Sequence, residues 1–156
     1  MLALQTLPGM AEAPRRMVSM NICTEQLAML LAAPGQHISV SYLAADPRSS
    51  AMREQARSLP VNHGQAEEIA FLANDLVLAG CYTTRVTVDM LDRLGMKVEI
   101  FEPEDSLADI AVNLRQMGRA LGRSPEAETM IAAMEARLAA LASAPDKRPE
   151  TAIYYS

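Results

Sequence analysis

Eight residues with hydrogen-bonding or stacking side chains fall in or beside turn-forming stretches: Asn21, Thr24, Tyr42, Asn62, His63, Tyr82, Thr83 and Thr84. Hydroxyls, amides and aromatic rings hold and orient a ligand without reacting with it, so this set suits a binding site. The parts of a covalent mechanism are not assembled. His37 and His63 are the only histidines, and neither has a neighbouring acid placed to orient it. The seven glycines never form G-x-G-x-x-G, and with Lys97 and Lys147 the only lysines there is no phosphate-binding P-loop. No G-x-S-x-G or H-E-x-x-H occurs either. The expectation is a binding protein, not an enzyme, with no cofactor and no catalytic residue. Structural roles stand beside the binding ones. Asn21, Thr24 and Thr84 can cap helices, Tyr42 and Tyr82 can sit half-buried, and His63 between Asn62 and Gly64 can be a turn residue.

Cys23 and Cys81 lie far apart and in no C-x-x-C pattern. With two histidines in the chain, a four-ligand zinc site would need carboxylates, so no metal site is expected. The two cysteines read as small buried side chains.

These residues need a scaffold, and 156 residues supply one domain's worth of core. Half the residues are hydrophobic and 21% are charged, which excludes global disorder. The net charge is -5 and the basic residues, nearly all Arg, are scattered. With no Trp, two Phe and four Tyr, neither a basic face nor a stacking platform for nucleic acid is present. No apolar run reaches the ~18 residues of a membrane span.

Apolar runs and helical periods alternate. Strands are predicted at 17–21, 37–42, 75–80 and 97–102, with a short extended piece at 59–64. The run Asp75-Leu-Val-Leu-Ala-Gly80 is apolar on both faces, as a covered parallel strand is. Helices are predicted from a Thr24 cap to Ala33, over 48–58, 66–73 and 84–94, from Ser106 to Leu121, and from Ser124-Pro125 to Ala142. Leu107, Ile110, Leu114, Met117 and Leu121 form one helical stripe, and Met130, Met134, Leu138 and Leu141 another; both read as core. The fold class is therefore α/β: a Rossmann-like three-layer sandwich with a mainly parallel sheet, followed by a long helix. Ligands of such sheets bind beyond the carboxyl ends of the strands. The loops there are 21–24, 42–47, 62–67, 80–85 and 102–106.

The ends read differently. Residues 1–15 resemble a signal-peptide remnant or a disordered extension: a short apolar stretch precedes the small-x-small triplet Ala11-Glu12-Ala13. Residues 144–156 read as a linker followed by a strand at Thr151–Ser156.

The ordered motifs resemble the class III periplasmic substrate-binding proteins of ABC importers for cobalamin, ferric siderophores and haem. Arg16-Met-Val-Ser-Met-Asn-Ile-Cys-Thr-Glu-Gln-Leu27 is similar to that family's opening strand and helix, and Val40-Ser-Tyr42 to its second strand. Gln65-Ala-Glu-Glu-Ile-Ala-Phe-Leu72 followed by Asn74-Asp-Leu-Val-Leu-Ala79 resembles its most recognisable segment, with Asn74 where the family usually has Pro. Leu91 to Gly95 followed by Val98, and Ser106 to Ile110, continue the likeness.

The resemblance implies two α/β lobes joined by one rigid helix, with ligand between them. Residues 16–123 would be the N-terminal lobe, 124–143 the connecting helix and 151–156 the first strand of a second lobe otherwise missing from this sequence. It implies Asn21, Thr24, Tyr42, His63, Tyr82 and Thr83 as ligand-binding residues, with haem iron reachable through His63 or a Tyr. It also implies Glu67 as the acid that docks on the permease in the inner membrane. The ligand would be a ferric siderophore, cobalamin or haem, and the location periplasmic. Two other readings stand beside it: an α/β enzyme lobe acting on a phosphate compound, and a non-functional truncated chain.

Overall fold

The computed structural model describes residues 12–83 and 85–142. Most of the expected signal-peptide remnant, the Thr84 cap and the linker with its terminal strand lie outside the described residues.

Five strands, β1 (Met17–Ser19), β2 (His37–Ser41), β3 (Val61–Asn62), β4 (Leu76–Gly80) and β5 (Val98–Phe101), form one parallel sheet in the order β3-β2-β1-β4-β5. Six helices alternate with and follow them: α1 (Ile22–Leu31), α2 (Arg53–Ala56), α3 (Ala66–Phe71), α4 (Arg85–Arg93), α5 (Leu107–Leu121) and α6 (Ser124–Ala142). The result is the three-layer α/β fold that the alternation implies.

The two-residue period of the strands divides the core. Met17, Leu76 and Leu78 pack with α1, α5 and α6, through Ala28, Leu31, Leu114, Met117, Leu121, Ala127 and Ile131. Val18 and Val77 point the other way, onto Ala66 and Ile69 of α3 and Leu91 of α4. This two-sided cover is why 75–80 is apolar throughout: Leu76 to Ala79 are all fully buried. A smaller cluster of Val40, Ala44 and Ala56 lies under α2.

Several element boundaries differ from the expectation, each for a local reason. α1 starts at Ile22 because Asn21, not Thr24, is its cap: Asn21 Oδ1 accepts from the backbone N–H of Cys23 and of Thr24. Only Arg53–Ala56 of 48–58 is helical. Asp46 instead accepts from the Arg48 N–H and the Ser49 hydroxyl, holding the chain in a turn. α5 begins at the expected Ser106 cap and ends at Gly122, whose φ of 70° is the left-handed conformation that glycine adopts without strain.

The helical stripes are only partly core. Leu107 is 59% exposed and Leu141 72% exposed. α6 buries Ala127 and Ile131 fully and Met130 and Met134 in part, so it packs through its first half. No helix among the described residues is long and apolar enough to cross a membrane.

Candidate functional site

The chain leaves β1 toward β2 and β3 on one side, then returns to place β4 on β1's other side. At such a reversal the loops after two adjacent strands diverge and open a crevice. A cavity of about 470 Å³ lies there. Met20 and Asn21 after β1 line it, joined by Ile22, Cys23, Thr24 and Leu27 of α1. The loop after β3 adds His63, Gly64 and Gln65, and the loop after β4 adds Gly80, Cys81, Tyr82 and Thr83. Thr87 of α4 and Phe101, Glu102, Pro103 and Glu104 close the far wall.

Five of the six ligand-binding residues expected from sequence, Asn21, Thr24, His63, Tyr82 and Thr83, therefore line one cavity. Their side chains are not equally available. Tyr82 is 87% exposed. Thr83 Oγ1 accepts from the Gly80 N–H at 3.2 Å and closes the turn after β4. Thr24 is buried, its hydroxyl donating to the Asn21 carbonyl at 3.2 Å. Asn21 caps α1 with Oδ1, while its buried Nδ2 has no partner. A Cβ on Gly80 would sit 2.8 Å from that Nδ2, so a side chain there would have to displace the Asn21 amide.

Tyr42, the sixth, does not line the cavity. It stacks on His63 at the rim, with ring centroids 5.8 Å apart and planes 15° from parallel. The expectation that no acid orients His63 is wrong. The Glu68 carboxylate accepts from the His63 backbone N–H at 2.7 Å and meets Nδ1 at 3.4 Å. A carboxylate on one ring nitrogen fixes the imidazole's orientation and leaves the other nitrogen free. Asn62 leaves the candidate set altogether. It is fully buried, and its Nδ2 donates to the Ser19 and Val40 carbonyls and to the Ser39 hydroxyl.

Cys23 and Cys81 are the clearest correction. Both are exposed free thiols, on the wall of the cavity and not in the core. Cysteine is buried so often that sequence alone favours the core, but both positions lie just past strand ends. Burial, then the charges of Glu104 and Glu25, pushes the Cys23 thiol up. Burial, then Glu102 and Asp105, does the same to Cys81. Both are held as thiols and are weak nucleophiles. Glu102 and Glu104 are lining residues that sequence reasoning passed over. They follow β5 in the expected loop 102–106, which was the available signal. Glu104 is held by the Asn113 amide at 2.8 Å.

Under the floor lies a polar cluster. Glu25, in the first turn of α1, is fully buried. It accepts from the Ser41 N–H at 2.7 Å and from the Ser41 hydroxyl at 3.0 Å, tying α1 to β2. Burial pushes its carboxyl up against the pull of these bonds. Ser19 Oγ contacts His37 Nε2 at 2.9 Å, and burial lowers His37 to about 4. Neither residue lines the cavity. Among the described residues no group of three or more His, Cys, Asp or Glu is placed to hold a metal ion. Glu67 is exposed on α3, beside a groove also formed by Val86, Met90 and Arg93 of α4.

No family model matches the sequence, and no curated protein matches it. Solved structures do. A periplasmic heme binding protein from Pseudomonas aeruginosa is 22% identical, covering 83% of this chain and 46% of its own, with a TM-score of 0.70. The periplasmic vitamin B12 binding protein BtuF of Vibrio cholerae is 21% identical over 83% of this chain and 50% of its own, with a TM-score of 0.66. Staphylococcus aureus SirA, solved with staphyloferrin B, is 18% identical over 83% and 44%, with a TM-score of 0.63. The chain has the α/β fold found in these binding proteins and spans about half their length.

Proposed function

We propose that this chain forms the N-terminal lobe of a substrate-binding protein of an ABC importer, receiving an iron complex or cobalamin at the cavity between β1 and β4. The lobe is taken to work in the periplasm. The observation that carries the reading is the cavity at the sheet's reversal point: five of the residues expected from sequence line it, on a fold otherwise met in binding proteins. Capture is by contact alone. The exposed Tyr82 ring and the stacked Tyr42–His63 pair offer flat apolar faces to a ligand of macrocycle size, and the free His63 nitrogen offers a donor to its metal. Glu67, exposed at the opposite side of α3 from the buried Ala66 and Ile69, is the proposed contact with the permease.

The test is titration of the chain with cyanocobalamin, haemin and a ferric siderophore, followed by the ligands' own absorbance. At least one should bind saturably, and Tyr82→Ala should weaken that binding by about 1–3 kcal/mol, the scale of one aromatic stacking contact. Absence of saturable binding by any of the three would overturn the reading. An unchanged affinity in Tyr82→Ala would remove that residue from the site.

A further inference from the structure

The cavity carries charge of one sign. Glu102 and Glu104 stand on its wall, and no Lys or Arg is among its described lining residues. Arg85, the first residue of α4, is exposed and does not line it. The one feature that would favour an anion, the amino end of α1, is already occupied. The N–H groups of Cys23 and Thr24 that would meet an incoming anion are spent on Asn21 Oδ1. The Asn113 amide holds Glu104 by donating to both its carboxylate and the Glu102 carbonyl, each at 2.8 Å. After burial, Glu102 is the next cause that raises the Cys81 thiol, and Glu104 the next that raises Cys23, in the first turn of α1.

We infer that this cavity selects its ligand by charge, admitting neutral or cationic metal complexes and repelling anionic chelates. In a partly closed, mostly apolar cleft the two carboxylates, Glu104's held by Asn113, act through less water than at an open surface, so they shift the local concentration of ions. An anionic chelate would need a cation beside it here, and the described wall has none. The inference rests on the receptor reading above for the nature of the ligand, but the charge test does not.

The native cysteines report the charge without any ligand. Two methanethiosulfonate reagents of similar size, one bearing a trimethylammonium and one a sulfonate, react with a thiolate in the same way. The thiolate sulfur attacks the sulfenyl sulfur, a mixed disulfide forms, methanesulfinate leaves, and the thiol's proton goes to buffer. Relative to free cysteine, the cationic reagent should outpace the anionic one by about tenfold. In Glu102→Gln/Glu104→Gln the preference should collapse. Should that variant not fold, raising salt on the unaltered chain must erase the same preference by screening. A rate ratio equal to that of free cysteine, or one favouring the sulfonate, overturns the inference. A companion titration compares a cationic ferric trihydroxamate, neutral cyanocobalamin and an anionic ferric tris-catecholate. Tightest binding of the anion overturns charge selection while leaving the receptor reading intact. Binding by none of these three and none by haemin, with the reagent preference present, overturns the receptor reading and leaves the charge assignment standing.

Discussion

At the scale of single residues, the buried Glu25 and His37 affect in opposite senses how the fold responds to acid. His37 is 6% exposed, its Nδ1 has no partner, and it titrates at about 4 against an ordinary 6.5. Between those values the unfolded chain binds a proton that the folded one refuses, so stability falls as pH falls. The window of roughly 2.5 units corresponds to about 3 kcal/mol at about 1.4 kcal/mol per unit. Glu25 acts in the opposite sense. Its carboxyl is raised in the folded state, so protonating it as pH falls restores part of the loss. The contribution of His37 is isolated by comparison. In urea unfolding at pH 7 and pH 4.5, the unaltered chain should lose about 2–3 kcal/mol more than His37→Gln. Equal losses would show that folded His37 takes up its proton as readily as the unfolded chain does. None of this was legible in the sequence. A glutamate in a first helical turn is ordinarily a solvated charge near the dipole, and nothing in the spacing of Glu25 and Ser41 shows that they meet. Glu68 reaching His63 was hidden for the same reason: the contact forms only when the turn at Gly64 folds α3 back on the end of β3.

At the scale of elements, the strand β4, its following turn and the cap of α1 behave as one unit. Gly80 approaches the Asn21 amide that caps α1 and borders the cavity. Gly80→Ala should therefore act in two places. Overpacking at 2.8 Å should cost about 1–3 kcal/mol, and displacement of Asn21 should free the Cys23 and Thr24 N–H groups at the cavity floor. Thermal unfolding reads the first effect and faster modification of Cys23 the second. A variant as stable as the parent, with unchanged Cys23 reactivity, would mean that the turn yields at no cost. α5 was legible because its apolar residues keep helical period, and β4 because its apolar run is unbroken. α6 was legible as a helix but not in its packing. Its apolar side chains, from Met130 to Leu141, are spaced for a face, yet the core covers only the first half. Helical period says where a face lies, not how far its partner extends.

At the scale of the whole molecule, the alternation of strand and helix was enough to give a parallel three-layer fold and, by the rule for such sheets, the loops that form the site. The strand order, which sets where those loops part, was not in the pattern. The proposed docking belongs at this scale, since it needs the lobe's outer surface and not its cavity. Charge reversal in Glu67→Lys should weaken permease binding in a pull-down by tenfold or more at low salt and leave ligand titration unchanged. Unaltered permease binding would remove Glu67 from the docking surface. The position of β1 in the middle of the sheet has a further consequence, for the order of assembly. β1 meets β2 after a short excursion through α1, but its other edge waits for β4, which comes only after β2, α2, β3 and α3. Until then the β1 edge and the apolar Met17 and Val18 stand open, the kind of edge on which chains associate. Refolding at rising protein concentration should therefore lose yield chiefly before β4 docks. Leu78→Ala, which weakens that docking, should slow the folding arm of a chevron and deepen the loss; a change confined to the unfolding arm would place β4 late in folding, after the rate-limiting step.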